Sequence, residues 1–297
     1  MQLQTDRNQK EIKLHGTYEF PVRVSHEKLS DYERRSFMWH WHTELEWTYI
    51  LEGEILYQIN EQMFHLKEGQ GILCNSNMLH SGHPADEGDC HYVSITFHPR
   101  LLEGWKNSFL KKKYVEQIAE NPSIPAVSLT DHTPWQNQIL DHLRRIETLY
   151  FSHEQEEDYD FQIYLLLMDT WRQVCLHVEH SGEDLSAARN MERLKQILTY
   201  IHTHYQEKIS LEDISSEVNI CSSECCRFFK KHMRESLFDY LLNYRIEQSL
   251  ACLSKSDCSI TEAAIQCGFS TPSYFSRVFR DRMGYTPGEY RRLALRR

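Results

Sequence analysis

Between Tyr18 and His98 apolar and polar positions alternate with period two over short runs, as in Glu54-Ile55-Leu56-Tyr57-Gln58-Ile59. Gly53, Asn60-Glu61, Gly69 and Gly82 punctuate the runs as turn signals. The pattern predicts an antiparallel β-barrel or sandwich. From Trp105 the period becomes helical, and over 159–178 it places Phe161, Tyr164, Leu165, Met168, Trp171, Val174, Cys175 and Val178 on one broad face. Such a face packs on the barrel or pairs with the same helix of a second chain, and periodicity does not separate the two. His180 to Asn190 is polar with small residues and reads as a linker. Beyond it helices are expected at about 191–205, 211–218, 222–233, 236–253, 260–267, 272–283 and 287–293. Ser210 and Ser259 each precede an acid by three residues, the arrangement of a capping box.

Sliding this helical region on itself by 50 residues aligns Arg227-Phe228-Phe229-Lys230 with Arg277-Val278-Phe279-Arg280, Met233 with Met283, Tyr240 with Tyr290 and Glu212 with Glu262. Each copy is a short helix, a tight turn (Asn219-Ile220 or Gly268-Phe269) and a second amphipathic helix, which is a helix-turn-helix unit. Cys225, Phe228, Phe229 and His232, or Phe275, Val278, Phe279 and Arg282, lie along the inner side of the second helix or its edge. The outer side carries Ser223, Cys226 and Arg227, or Ser273, Ser276 and Arg277, followed by Lys230 and Lys231, or Arg280. Small residues permit close approach to a major groove, an Arg can fork onto guanine, and basic residues at the rim hold phosphates. One such Arg alone would simply solvate a helix face; the same row twice favours DNA readout.

Charge supports that division. The 297 residues carry a net charge of −10, but residues 190–297 hold 16 Lys+Arg against 13 Asp+Glu, leaving 17 against 30 for residues 1–189. Only the C-terminal end is suited to phosphates. A mean hydropathy of −0.60 and the lack of a long apolar run speak against a membrane partner. Nine cysteines without framework spacing, behind a polar N-terminus, fit the cytoplasm. Cys221, Cys225 and Cys226 lack a matching second ligand pair, so zinc is not expected there.

Residues 191–292 resemble the AraC/XylS family of bacterial transcription regulators. The specific part is Ile260-Thr261-Glu262-Ala263-Ala264-Ile265-Gln266-Cys267-Gly268-Phe269-Ser270, then Ser273-Tyr274-Phe275-Ser276-Arg277-Val278-Phe279-Arg280, then Gly284-Tyr285-Thr286-Pro287-Gly288-Glu289-Tyr290-Arg291. The resemblance implies two recognition helices in successive major-groove segments, held apart by helix 236–253, within which Arg245 is structural. The first unit departs from the family pattern at Cys221, Ser215 and Arg234, the last standing where Gly ends the recognition helix.

His40-Trp41-His42-Thr43-Glu44-Leu45-Glu46, followed by Gly53, Gly69 and His80, resembles the two motifs of cupin barrels, with Ser76 and Asn77 where Pro and Gly are usual. In metal-binding cupins the corresponding residues are ligands. The AraC-type sensor domains that this segment resembles often retain these polar residues without catalysing anything, and effector recognition is the reading preferred here: His40, His42, Glu46, Trp47, Tyr49 and His80 are candidate effector contacts, a purely structural role for His42 being the alternative, with no metal, cofactor or catalytic residue expected. Residues 1–16 form either a free tail or an arm that closes over the barrel.

The expected architecture is α+β and multidomain. An N-terminal arm (1–16) leads into a cupin-like antiparallel β-barrel (17–100) with following dimerisation or transmission helices (101–180). A linker (181–190) joins these to an all-α DNA-binding domain (191–297) with two helix-turn-helix units. The expected function is a cytoplasmic transcription activator, with promoter DNA, a small polar effector such as a carbohydrate, RNA polymerase and a second copy of itself as partners. The alternative is a cupin metalloenzyme, a dioxygenase or isomerase, whose helical domain serves interaction.

Overall fold

A computed structural model describes residues 3–105, 107–130, 133–152, 157–179, 185–254 and 258–294. The chain divides into two compact units, Met1–Met191 and Glu192–Arg297. Of the expected linker, 181–184 lie outside the described residues, as does His180 before them. Residues 185–190 are the opening turns of a helix, Leu185–His204, which therefore starts six residues earlier than its polar composition indicated.

In the first unit the alternating runs become β1 (Val22–Lys28), β2 (Phe37–His40), β3 (Leu45–Glu52), β4 (Glu54–Ile59), β5 (Gln62–Lys67), β6 (Gly71–Cys74), β7 (His80–Pro84) and β8 (His91–Phe97). Short helices α1 (Arg100–Glu103) and α2 (Glu116–Ala119) precede a ninth strand, β9 (Ala126–Leu129). Two long helices follow, α3 (Pro134–Phe151) and α4 (Tyr159–His177). The strands form two antiparallel sheets, β1-β8-β3-β6-β9 and β2-β7-β4-β5. Strand β9 falls in the stretch expected to be helical. Its four residues are too few to register as a period, and it is held by pairing with β6 and by burial of Val127 and Leu129. Gly82 is likewise not a turn: it lies within β7 opposite Phe37, whose ring would be 2.2 Å from any Cβ placed there.

The five-stranded sheet is covered on both sides, so period-two alternation sorts its residues between two cores. On β3, Leu45, Trp47 and Tyr49 face outward into a cluster with Leu143 and Ile146 of α3 and Leu167, Trp171 and Val174 of α4. Ile50, with Ile72, Cys74 and Tyr92, faces inward to Phe37, Ile55, Tyr57 and Ile59 of the barrel. Helix α4 buries Ile163, Leu167, Trp171 and Val174. Phe161 and Leu165, expected on that same face, are 59% and 52% exposed, and Leu176 is 63% exposed. The helix is apolar around most of its circumference, so the sequence could not say which side the sheet would claim.

Among the described residues the regular elements of the second unit are all helices: α5 (Leu185–His204), which belongs to this unit from Glu192 on, α6 (Leu211–Glu217), α7 (Ser222–Met233), α8 (Leu237–Leu253), α9 (Ile260–Gln266), α10 (Pro272–Met283) and α11 (Pro287–Ala294). No helix among the described residues is long and apolar enough to cross a membrane. Helices α6 and α9 both begin with reciprocal capping boxes, Ser210 with Asp213 and Ser259 with Glu262. Helix α8 joins the two copies, and Arg245 on it donates to the carbonyls of Tyr205 (2.7 Å) and Glu207 (2.6 Å), a structural role as expected.

The caps correct the repeat's register. Asp213, not Glu212, is the counterpart of Glu262, because each occupies the third position of its helix. The first helices are therefore offset by 49 residues and the second by 50, the difference being one extra residue in the second turn. The second helices of the two units end alike, on a left-handed residue: Gly284 at φ 75° in α10 and Arg234 at φ 59° in α7. Glycine adopts that conformation freely, whereas a side chain pays a steric cost there. Arg234→Gly is expected to stabilise the protein by about 1 kcal/mol and Gly284→Arg to destabilise it by a similar amount, as measured by urea denaturation.

Candidate functional site

Two sites emerge, one inside the barrel and one on the helical unit. In the barrel, His40 ends β2 and His80 begins β7, and the two residues are direct cross-strand partners. Their rings therefore meet, with centroids 4.0 Å apart. His42, just beyond β2, turns its ring to the same place, and one ring nitrogen of each of the three lies within 4.8 Å of the others. Glu46 enters from β3, with Oε2 at 3.0 Å from His42 Nε2 and 3.8 Å from His80 Nε2. Its Oε1 accepts from Thr48 (3.0 Å) and Tyr57 (3.2 Å). All four candidate residues are under 10% exposed.

The electrostatics follow from burial and neighbours. Burial alone would raise the Glu46 pKa, but the hydrogen bond from His42 and the charges of His80 and His40 hold it well below the usual range. Burial opposes charge on His42, yet the Glu46 carboxylate overrides it and raises the His42 pKa. For His40 and His80 burial prevails and lowers both.

Trp47 and Tyr49 do not belong to this site. They follow Glu46 at odd spacing on one strand, so the pleat turns them to the opposite face. Trp47 is fully buried against the helices, and the Tyr49 hydroxyl donates to Glu147 of α3. Thr48 and Tyr57 take their place at the carboxylate, and period two on β3 and β4 could have found them.

Residues of the N-terminal arm complete the wall. Lys10 bridges to Trp41, the Glu11 amide donates to the Trp41 carbonyl (2.9 Å), and the Trp41 indole donates to the Asn8 carbonyl (2.7 Å). This brings the Glu11 carboxylate to 3.0 Å from His15 Nε2, while His15 Nδ1 meets Thr96 on β8 at 2.9 Å. Burial would raise the Glu11 pKa, but His15 and the nearby His40 and His42 bring it down to about 2. No strand or helix period marks Glu11 or His15 in the sequence. The arm, His40, Glu46, Arg23 and Thr96 line a polar cavity whose free volume is only about 30 Å³.

On the helical unit, α7 buries Cys225, Phe229, His232 and Met233, and α10 buries Phe275, Val278 and Phe279. Ser223, Cys226, Arg227, Lys230 and Lys231 are exposed on α7, and Ser273, Arg277 and Arg280 on α10, where Ser276 is half-buried. The Arg277 guanidinium lies 5.3 Å from the centre of the Tyr274 ring. In the first unit Ser215, where the family pattern has Ala, is buried and meets the Ser222 hydroxyl at 3.1 Å. Cys221 stands at the N-cap of α7 without a side-chain cap bond, whereas Thr271 caps α10 through the Tyr274 amide (3.1 Å).

Comparison with known proteins agrees with this division. Residues 214–293 match the helix-turn-helix domain model, and residues 29–168 match the AraC-like ligand binding domain. The chain is 32% identical over 288 residues to the uncharacterized HTH-type transcriptional regulator YdeC of Bacillus subtilis, covering 97% of each chain. It is 22% identical over 268 residues to the melibiose operon regulatory protein of Escherichia coli, covering 87% of this chain and 84% of that one. Among solved structures, fatty-acid-bound ToxT of Vibrio cholerae is similar at 17% identity and a TM-score of 0.41, covering 91% of this chain and 94% of that one.

Because Trp47 is core and Thr48 is site, their truncations separate. Trp47→Ala is expected to cost about 3–5 kcal/mol and Thr48→Ala about 1 kcal/mol, read from denaturant midpoints of the full chain. Equal costs would place Trp47 outside the packed core.

Proposed function

The chain belongs to the AraC/XylS family of helix-turn-helix transcription regulators, and we propose that it binds promoter DNA as a homodimer controlled by a small polar effector in its barrel. It is a DNA-binding regulator with an N-terminal ligand-binding domain, and its relatives are regulators rather than enzymes. The observation that carries the finer reading is the repetition of one exposed row on two helices. Arg227 and Arg277 stand at matching positions, each beside small residues (Ser223 and Cys226; Ser273 and Ser276) that let a helix settle into a major groove. These six are assigned to base edges, and Lys230, Lys231 and Arg280 to phosphates.

The effector assignment rests on the polar cavity lined by His40 and Glu46, which His42 and His80 adjoin through their contacts with those two residues. Small-molecule sites typically occupy about 300–1,000 Å³. With the arm in place the cavity, at about 30 Å³, holds a tenth or less of that, so a sugar-sized effector enters only when the arm carrying Glu11 withdraws. Similarity to the melibiose operon regulatory protein favours a carbohydrate. Occupancy and arm position are thereby linked, as a ligand-driven shift between two states requires. Activation through RNA polymerase in the cytoplasm completes the proposal, on the strength of the family resemblance.

The exposed stripe of α4 (Phe161, Leu165 and Leu176) supports the dimer: these are large apolar side chains left in water on a helix whose other side is already packed. A Phe161→Glu, Leu165→Glu double variant is expected to be monomeric in sedimentation at a concentration where the parent is dimeric. A monomeric parent, or a dimeric variant, would remove α4 as the seam.

Sheared genomic DNA selected by purified protein should be enriched in a shared motif, and an Arg227→Ala, Arg277→Ala variant should lose it. Each single Arg variant is expected to cost about 1–3 kcal/mol of specific binding, while Lys230→Ala lowers the salt slope by about one and leaves sequence preference unchanged. Unchanged preference in both Arg variants would refute the assigned base contacts.

A further inference from the structure

Three of the nine cysteines, none of them assigned to DNA, meet as free thiols in the second unit. Cys252 lies in the last turn of α8, Cys258 just before α9, and Cys267 at the C-cap of α9. All three belong to the apolar cluster built around Ile246, Phe275 and Phe279. Cys252 is the shared member: its thiol is in hydrogen-bonding contact with those of both Cys258 and Cys267, and its Sγ lies 3.6 Å from Oε1 of Gln266. Cys252 and Cys258 are half-buried, so small solutes reach them, whereas Cys267 is 2% exposed. Burial and the two neighbouring thiols push Cys267 up to about 12, and burial raises Cys258 as well. Two guanidiniums oppose this. Arg291, which donates to the Cys258 carbonyl, favours the Cys258 thiolate, and Arg245 favours that of Cys267. Partial exposure beside positive charge is the setting in which protein thiols react.

We propose that Cys252 forms a reversible disulfide with one of these two neighbours when the protein meets a hydroperoxide. The Cys252 thiolate attacks one peroxide oxygen: an S–O bond forms, the O–O bond breaks, and the other oxygen leaves with a proton as water or an alcohol. The neighbouring thiol then attacks the sulfenic sulfur: an S–S bond forms, the S–O bond breaks, and the oxygen leaves as water with the sulfenic and thiol protons. Two thiols lose two electrons and the peroxide gains them. A disulfide draws its sulfurs to about 2.05 Å, closer than hydrogen-bonded thiols lie, so either bond pulls one end of α9 toward α8. The turn after α9 does not absorb that shift freely. Gly268 sits at φ 78°, where an added Cβ would stand 2.4 Å from the Tyr205 carbonyl, and Phe269 packs on Phe275 of α10 with ring centroids 5.0 Å apart. The displacement passes to α10, which carries Arg277, and oxidation thereby lowers DNA binding. That effect, but not the disulfide itself, rests on the placement of α10 against DNA.

The full-length protein is treated with hydrogen peroxide, its remaining thiols are alkylated, and its peptides are mapped by mass spectrometry with and without dithiothreitol. A disulfide joining Cys252 to Cys258 or Cys267 is expected in the unmutated protein and is lost on reduction. Retention of sheared genomic DNA at moderate salt is expected to fall about 10-fold on oxidation and to recover with dithiothreitol. In Cys252→Ser the fall is expected to be far smaller, which separates this site from oxidation at the exposed Cys221 and Cys226. Cys252 recovered as a thiol, or oxidised without a cysteine partner, would overturn the site. The disulfide with unchanged DNA retention would overturn its coupling to α10. A reduced parent that retains no DNA would refute the assigned DNA contacts instead, while the peptide map still decides the disulfide.

Discussion

A carboxylate buried inside a β-barrel is costly unless its charge is met, and Glu46 is met on every side. His42 contacts one oxygen, and Thr48 and Tyr57 donate to the other. That requirement ties four elements together. It demands that β3 present Glu46 inward, that β4 present Tyr57 to it, that the chain after β2 place His42 within reach, and that β7 bring His80 opposite His40. A one-residue slip in β3 would drive the charge into the apolar layer under α3 and α4 and lift Trp47 into the polar cavity. Strand register, helix packing and site are therefore one constraint.

The same alternation explains why the five-stranded sheet needs helices at all. Its outward face carries Leu45, Trp47, Leu73, Val93, Ile95 and Phe97, which must be covered, and α3 and α4 cover them. Having used Ile163, Leu167 and Trp171 for that purpose, α4 still has Phe161, Leu165 and Leu176 to spare. A helix so placed covers the sheet on one side and leaves an apolar stripe exposed on the other. The arm adds a second linkage: its backbone pairs with Trp41, the residue between His40 and His42, so anything that moves those histidines acts on the arm as well.

The two helix-turn-helix units show which features of a repeat are under physical constraint and which are free. Both keep a capping box at the first helix, an aromatic anchor (Phe229 or Phe279) fully buried in the second, and a left-handed residue after it. What differs is the solution to each local demand. Ser215 satisfies its hydroxyl on Ser222 where the second copy has the apolar Ala264, and Arg234 accepts strain that Gly284 avoids. The loop tolerates one residue more in the second copy because its ends are set by the helices, not by its length.

Much of this was legible in the sequence. Periodicity located the strands, the helix-turn-helix helices and their inner and outer faces, since one buried face per element leaves an unambiguous pattern at 2.0 or 3.6 residues. The resemblance to the cupin motifs marked His40, His42, Glu46 and His80 as a set. The pattern failed wherever an element is buried on two sides or has no period. Trp47 and Tyr49 looked like site residues because β3 is apolar on one face and chemical on the other, yet both faces are buried. The apolar circumference of α4 hid which side the sheet takes, and β9 and the arm residues Glu11 and His15 were too short or too irregular to be read. What the sequence determined by itself was the identity and order of the elements, because local periodicity and capping are written residue by residue. Only the tertiary structure decided which face of β3 points at the histidines, which side of α4 stays open and what closes the barrel, because those depend on contacts between segments that the linear pattern does not bring together.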